Sequence, residues 1–535
     1  MYNAPDLHLQ NRIRCKMKGE QKRVETRPPL TFVGLSMVFF GGVAYVAWYK
    51  KNVLDKIELA FAAGYDPALE LASHGKMRDP SVPEELDWDM DGPWTQHLRR
   101  KEQDIVDRII HGAETGHYFL ILGPKGTGKT TMIFDAMQAC QADGVAICDA
   151  HPDMEVFRLR LGKALNYEYN EDSQTGLFQR RDPREGGPAL DIERAMNKVE
   201  KVALKHARRT GKPLVMIINN VHFFKNNDEG RNMLLQLQQR AEAWAASGIL
   251  TLVFSSDDFW PFLVMRRNGS RMHVVSVYDL NFHESMQASM RMRMNARRRF
   301  EEHETFRDLV SIVGGRLSYL GKAVKQKDIV QYAKHMLHVE KAWLLSQIGL
   351  IEDHDDDVMD EVGAHVNWGF TLFFSQQKWS SCSWLLLREF VKLRQEQERE
   401  VQEAIAAGGK TDEDLNDLPL PKIPYYKCRQ IMTRPDFLEE LDRLNIIAID
   451  LFMMWSLQIN HDVTPDSLLL LNAAREVVEE EGFDEVLDNV RDRVDEIESL
   501  HRTRELTFKD VKAGDRVWLT VDKGGARLIE DGPKS

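Results

Sequence analysis

The stretch YFLILGPKGTGKTTMIFDAM, residues 118–137, constrains this chain more than any other part of it. An apolar, β-prone run enters a glycine-rich turn, and the turn enters a run of helical character that Gly144 closes. Gly123-Pro124-Lys125-Gly126-Thr127-Gly128-Lys129-Thr130 fits G-x-x-x-x-G-K-[ST] at every position. The glycines let successive backbone N–H groups face one centre, and the helix start adds the positive end of its dipole. Lys129 brings a point charge to the β- and γ-phosphates, and Thr130 offers its hydroxyl to Mg²⁺. These eight residues and Thr131 are therefore the expected ATP-binding set, with Thr130 as metal ligand.

A strand feeding such a loop needs a sheet around it. VAICDA (145–150), PLVMII (213–218), GILTLVF (248–254) and MHVVSVY (272–278) are short aliphatic or β-branched runs separated by helical stretches. That alternation predicts an α/β fold with a P-loop NTPase parallel sheet buried on both faces. The helix Leu98–Ile110 precedes it, with Ile105, Ile109 and Ile110 on one side.

Hydrolysis asks for more than a loop. A later strand commonly ends in Asp, which supports Mg²⁺, and then Glu, which polarises the attacking water. Here the strand ends MIINNVHFF. Asn219 and Asn220 can accept hydrogen bonds, but they carry no charge and take no proton. Weak ATP hydrolysis is the expectation, with Asp228, Glu229 or His222 as distant substitutes. At the fourth strand end, VFSSDDFW, Ser255 or Ser256 is either a water-orienting group or a strand cap. Arg266, Arg267 and Arg271 are candidates for phosphate contact across a subunit interface, or a solvated face. From Asn281 the pattern turns helical, with a basic run at Arg291, Arg293, Arg297, Arg298 and Arg299. Five arginines beside a nucleotide site fit lid salt bridges better than nucleic acid. In VGGRLSYL the double glycine permits close backbone approach, and Arg316 is placed to reach the phosphates.

RRKEQ before the loop, the loop itself, a strand ending where an acidic pair is expected, FSSDD and GGRLSYL together resemble the AAA+/STAND group of P-loop ATPases. Within it the chain looks most like archaeal-type ATPases and their fungal membrane-anchored relatives with a C-terminal winged helix. The resemblance covers Trp94 to Gln347. It implies that Arg100 to Glu102 form an adenine-side linker, that Lys129 and Thr130 hold Mg-ATP, that Ser256 is a strand-four sensor and that Arg316 is a lid sensor. Asn219-Asn220 departs from the family's acidic pair, so the catalytic set reads Asn219, Asn220, Ser256 and Arg316.

Further on, WSSCSWLLLREFVKLRQEQEREVQEAIAAGG reads as a long helix closed by Gly408 and Gly409. YKCRQIMTRPDFLEELDRLNIIAID gives a helix, a turn at Arg434-Pro435, a second helix and a short strand at Ile446–Ile449, the order of a winged helix. The second helix carries four acids and one arginine, which repels phosphates. Protein partners are thus expected through the winged helix, and nucleic acid is disfavoured. The net charge of −12 points the same way. The tail is an acidic helix and then a hairpin turning at Gly524-Gly525.

Leu30 to Tyr49 is free of charge and spans about the twenty residues a bilayer core requires. Trp48, Tyr49, Lys50 and Lys51 close it. One N-terminal transmembrane helix is expected, with the basic leader on the inner side and the large C-terminal part across. A nucleotide-binding domain placed there finds ATP in the mitochondrial intermembrane space, so a single pass through the mitochondrial inner membrane is the expected localisation. The five cysteines show no zinc or disulfide spacing.

The expected organisation is a leader at 1–29, a membrane helix at 30–49, a linker at 50–93 and a P-loop domain at 94–280. A helical lid follows at 281–350, a winged-helix-like domain at 366–470, and an acidic helix with terminal hairpin at 471–535. The leading functional expectation is a membrane-anchored ATP-dependent switch or remodelling ATPase, with a homo-oligomer left open. The alternative is a DNA-maintenance factor.

Overall fold

The computed structural model describes residues 30–67, 69, 99–169, 187–297, 301–350, 368–407, 415, 417–432, 435–452, 460–504, 517–522 and 525–530. The leader, most of the acidic linker, Arg298, Arg299, Gly408, Gly409, Arg434 and Gly524 lie outside the described residues.

Helices α1 (Leu30–Ala60) and α2 (Gln103–Ile110) lead into β1 (Tyr118–Leu122), α3 (Lys129–Ala139), β2 (Val145–Asp149), α4 (Met154–Ala164) and α5 (Gly187–Thr210). Then come β3 (Leu214–Asn219), α6 (Asp228–Ser247), β4 (Leu250–Ser256), α7 (Trp260–Arg266) and β5 (Met272–Ser276). All five strands pair in parallel in the order β2-β3-β4-β1-β5. Each expected strand is present. The period-2 geometry splits β1 cleanly: Phe119 and Ile121 face a layer with Ile109 and Ile133, whereas Tyr118, Leu120 and Leu122 face a layer with Leu252 and Phe254. Both faces of the central strands β1, β3 and β4 are buried, which favours their near-continuous apolar runs.

The segment 50–93, expected as the short helix VLDKIELAFAAG and then a linker, begins inside the domain. Val53, Ile57, Ala60 and Phe61 are buried in the main core, and Asp66, 1% exposed, accepts the Ile147 N–H at 3.1 Å. Helical i, i+3 and i+4 spacing put these apolar residues on one face, so the second half of α1 is a structural helix of the nucleotide-binding domain. Its first half is different, for Met37, Phe39, Phe40, Val43 and Trp48 are exposed. Among the described residues no helix is long and apolar enough to cross a membrane. The side chains of 30–36 and 38 lie outside them.

The lid comprises α8 (Phe282–Arg297), α9 (His303–Val313), α10 (Leu317–Val324) and α11 (Ile329–Ile348), packed around Leu309, Val313 and Leu320. Arg293 of the basic run is fully buried; it donates to Val324 O at 2.6 Å and pairs with Glu301. Its charge is spent on closing the lid.

After α12 (Trp368–Ala406) come β6 (Ile423–Pro424), α13 (Tyr425–Met432), α14 (Pro435–Arg443), β7 (Ile447–Phe452), β8 (Asn460–Pro465), α15 (Leu468–Val478) and α16 (Phe483–Arg504). The three strands form an antiparallel sheet in the order β6-β8-β7. A terminal hairpin, β9 (Val517–Asp522) with β10 (Gly525–Glu530), follows.

Candidate nucleotide-binding site

The loop between β1 and α3 turns with Gly126 at φ 86° and Gly128 at φ 99°, a region that glycine enters without strain. Lys129 then starts α3, and its side chain, 4% exposed, folds back over the loop. Its Nζ donates to Gly123 O at 2.6 Å and Pro124 O at 2.8 Å, and pairs with Asp257 Oδ1 at 2.8 Å. Burial pulls the Lys129 ammonium below its ordinary range more than Asp257 pushes it back. Lys125 is exposed, and Thr127 donates to Pro124 O at 3.0 Å.

Arg100 ties the approach helix to the loop. It donates to Thr127 O at 2.7 Å and to Tyr278 O, and pairs with Glu102 at 3.2 Å. This segment, expected as an adenine-side linker, holds the loop backbone against the end of β5.

Thr130 and Asn219 meet across the sheet edge, Thr130 Oγ1 lying 3.4 Å from Asn219 Oδ1. The far end of the same amide, Nδ2, donates to Asp149 Oδ1 at 2.9 Å. Asn220 has φ 56° and ψ 47°, the left-handed region that Asn tolerates better than Glu, and its carbonyl accepts from Phe223 N at 3.0 Å. It is fitted to a turn, not to proton transfer. Asp228 and Glu229 are exposed in the first turn of α6, which Asn227 caps. His222 Nδ1 accepts the Asp257 N–H at 3.1 Å, and burial lowers its pKa.

Ser256, expected as a strand-four sensor or a strand cap, is held by a backbone partner. Its hydroxyl, fully buried, donates to Asp258 O at 2.7 Å and caps the strand. The polar side chain from this strand end that reaches the loop is Asp257. Arg271, one of the interface candidates, donates to Gly116 O at 3.4 Å.

Arg316 begins α10, directly over Gly126: a Cβ placed there would lie 3.5 Å from Arg316 Cδ, and Ser318 N donates to Gly126 O at 3.2 Å. The double glycine has the expected use, since a Cβ on Gly315 would meet Leu280 O at 1.9 Å. The guanidinium itself is 1% exposed. It pairs with Asp279 at 3.1 Å and with Asp466, the residue that follows β8 in the C-terminal domain. Burial alone would lower the Arg316 pKa, but Asp279 and Asp466 outweigh it and push it up. Arg316→Met leaves two carboxylates at a buried junction without their counter-charge. The expected loss is about 3 kcal/mol of stability, read by denaturant unfolding, with earlier proteolysis between the lid and the C-terminal domain.

The C-terminal domain reaches the same edge a second time. Asp442 of α14 accepts the Phe259 N–H at 2.7 Å, and Glu439 accepts from Asn226 Nδ2 at 3.1 Å. A cavity of about 450 Å³ remains between Gly123, Pro124, Asp279, Gly315, Asp466 and Leu468. At this junction burial, and then the neighbouring Asp257, push the Asp258 carboxyl up to about 7 from 3.8. Burial raises Asp442 well above its ordinary range, and Asp258 adds to the rise. Both carboxyls keep protons in the folded chain at pH values where the unfolded chain has lost them, so stability falls as pH rises from about 4 to about 7. Thermal unfolding of the nucleotide-free chain should show stability falling across the Asp258 window, by about 1 kcal/mol per pH unit, and Asp442→Asn should lessen the fall.

Mg²⁺ has a place among these atoms. Hard oxygen donors suit it, and Thr130 Oγ1 with Asn219 Oδ1 supplies a neutral pair beside Lys129. Nucleotide phosphates and water would supply the rest of its shell.

A phosphate-binding loop on this parallel sheet, under a helical lid whose arginine overlies the loop, has the layout of a P-loop nucleotide-binding domain. The family matches agree and add the second domain: residues 98–252 match the AAA ATPase domain, and residues 345–498 match the fungal AAA protein, C-terminal winged helix domain. The chain thus carries one stretch that matches an AAA ATPase domain and another that matches a fungal AAA winged helix. No curated protein matches it. Among solved structures, a Walker-type ATPase of Pyrococcus abyssi is 11% identical, with a TM-score of 0.41, over 71% of this chain and 96% of its own. The ORC1 protein of Aeropyrum pernix, in complex with DNA, is 12% identical with a TM-score of 0.30, over 73% of this chain and 96% of its own. AMPPCP-bound DnaA from Aquifex aeolicus is 12% identical with a TM-score of 0.29, over 57% of this chain and 82% of its own. At these scores the fold rests on the sheet order and the two family matches.

Proposed function

We propose that the chain is an ATP-dependent switch, in which Mg-ATP bound at Gly123–Thr131 sets the position of the lid and winged helix and is turned over slowly. One observation carries this reading: the loop lysine and the lid arginine are both engaged by carboxylates from elsewhere in the chain, Asp257 and Asp466, while the catalytic acids are replaced by Asn219 and Asn220. A triphosphate competes with Asp257 for Lys129, and its charge draws on Arg316, so binding is coupled to the winged-helix junction. Loss of a general base commonly costs about 10²–10⁴-fold in rate, which makes holding the dominant behaviour.

Anchoring completes the proposal. The exposed apolar side chains in the first half of α1 suit a bilayer, and the buried second half would fix the domain rigidly close to it. The membrane is the mitochondrial inner membrane, with the nucleotide-binding domain in the intermembrane space. Protection of that domain from protease after the outer membrane is opened would refute this topology. Protein partners bind at the winged helix, and their arrival competes with its contacts to the P-loop domain. A DNA-binding role would require α14 to leave Asn226 and Phe259. Salt-sensitive DNA binding by the full-length chain would establish that role instead.

The direct test uses the detergent-solubilised full-length chain. Binding of a fluorescent ATP analogue in Mg²⁺ with little phosphate release supports the switch. Rapid wild-type turnover, lost on Lys129→Ala, would identify a motor.

A further inference from the structure

The neutral residue at the end of β3 does not stand alone. β2 and β3 are parallel neighbours with Asp149 directly opposite Asn219, and the ladder runs on through Ala150 N to Asn219 O at 2.9 Å. The two side chains therefore leave the same edge of the sheet, at the end where the phosphate loop sits. An amide has one donor end and one acceptor end, and a carboxylate accepts only. Asp149 Oδ1, 2.9 Å from Asn219 Nδ2, thus takes the donor end and turns the amide oxygen toward Thr130 Oγ1, 3.4 Å away. The other carboxylates at the loop are committed, Asp257 to Lys129 and both Asp279 and Asp466 to Arg316.

We propose that Asp149 is a positioning residue for the divalent cation of the bound nucleotide: it holds the Asn219 amide oxygen toward Thr130 and supplies, one hydrogen bond further out, the negative charge that residue 219 lacks. A charge-assisted hydrogen bond polarises the amide and makes its oxygen a better acceptor. The acid of this site has moved to the neighbouring strand. This inference rests on the reading of the loop as an Mg-nucleotide site.

The test compares affinity for a fluorescent ATP analogue with Mg²⁺ and with EDTA, on the full-length chain. Replacing a residue that orients a metal ligand typically costs about 10–100-fold in metal affinity. Asp149→Asn should raise the Mg²⁺ concentration for half-maximal binding by about tenfold and leave binding in EDTA unchanged. In an Asn219→Asp background the loss should shrink, because residue 219 then carries its own charge and has no amide for Asp149 to orient. A purely structural role predicts the same loss in both backgrounds and in EDTA, and that result overturns the inference. So does an Asp149→Asn chain whose Mg²⁺ dependence matches wild type. If the wild-type chain binds no analogue in either condition, the nucleotide reading fails and takes this one with it. A wild type that binds, beside an unaffected variant, sinks only the role of Asp149.

Discussion

Lys129→Ala should abolish nucleotide binding, with affinity falling by about 10²–10⁴-fold, because two charge-assisted hydrogen bonds to phosphate contribute about 1.5–3 kcal/mol each. Loss of a P-loop lysine would be expected in any protein of this class. What distinguishes this chain is the opposite variant. Asp257 holds Lys129 at 2.8 Å, and the lysine must leave it, together with Gly123 O and Pro124 O, to meet a triphosphate. Asp257→Asn removes the competing charge, so affinity should rise by about tenfold, or about 1.4 kcal/mol. Titration of a fluorescent ATP analogue reads both variants on one scale. An Asp257→Asn chain that binds more weakly than wild type would show that Asp257 organises the loop and does not compete for it.

The second large effect is a gain. Asn219→Asp with Asn220→Glu restores the acidic pair, and phosphate release should rise by about 10²–10⁴-fold if a missing base limits turnover. The structure adds two conditions. Asn220 stands at φ 56°, where Glu costs on the order of 1 kcal/mol, so the double variant should unfold at lower temperature than Asn219→Asp alone. Asp149 lies against residue 219, so a new carboxylate there meets a like charge. Adding Asp149→Asn should therefore raise turnover further. A steady-state phosphate-release assay on the four chains, with Lys129→Ala as background, measures each step. If all four stay at that background, the limit lies in lid opening rather than in the chemistry.

Much of this architecture was legible from the residues. The five strands announced themselves because a sheet buried on both faces needs unbroken apolar runs, and the glycine pattern of GPKGTGKT admits few other uses. GGRLSYL was read correctly as a close approach, since Gly315 has no room for a side chain against Leu280. The helix–helix–strand order after residue 423 likewise gave the winged helix. Two settings came only with the fold. VLDKIELAFAAG reads as a short helix, and the fold shows that Val53, Ile57, Ala60 and Phe61 form its buried face. Ser256 reads as a water-orienting group or a strand cap, and its hydroxyl donates to Asp258 O two residues on.

The sequence by itself determined the local devices: the loop, the strands that support it, the double glycine and the two amides, Asn219 and Asn220, at the end of β3. Only the tertiary structure decided how the charges pair. Asp149 reaches Asn219 across 70 residues because β2 lies beside β3, and Asp466 reaches Arg316 across 150 because the winged helix docks on the lid. A carboxylate in a sequence carries no sign of its partner, since strand order and domain docking bring the two together.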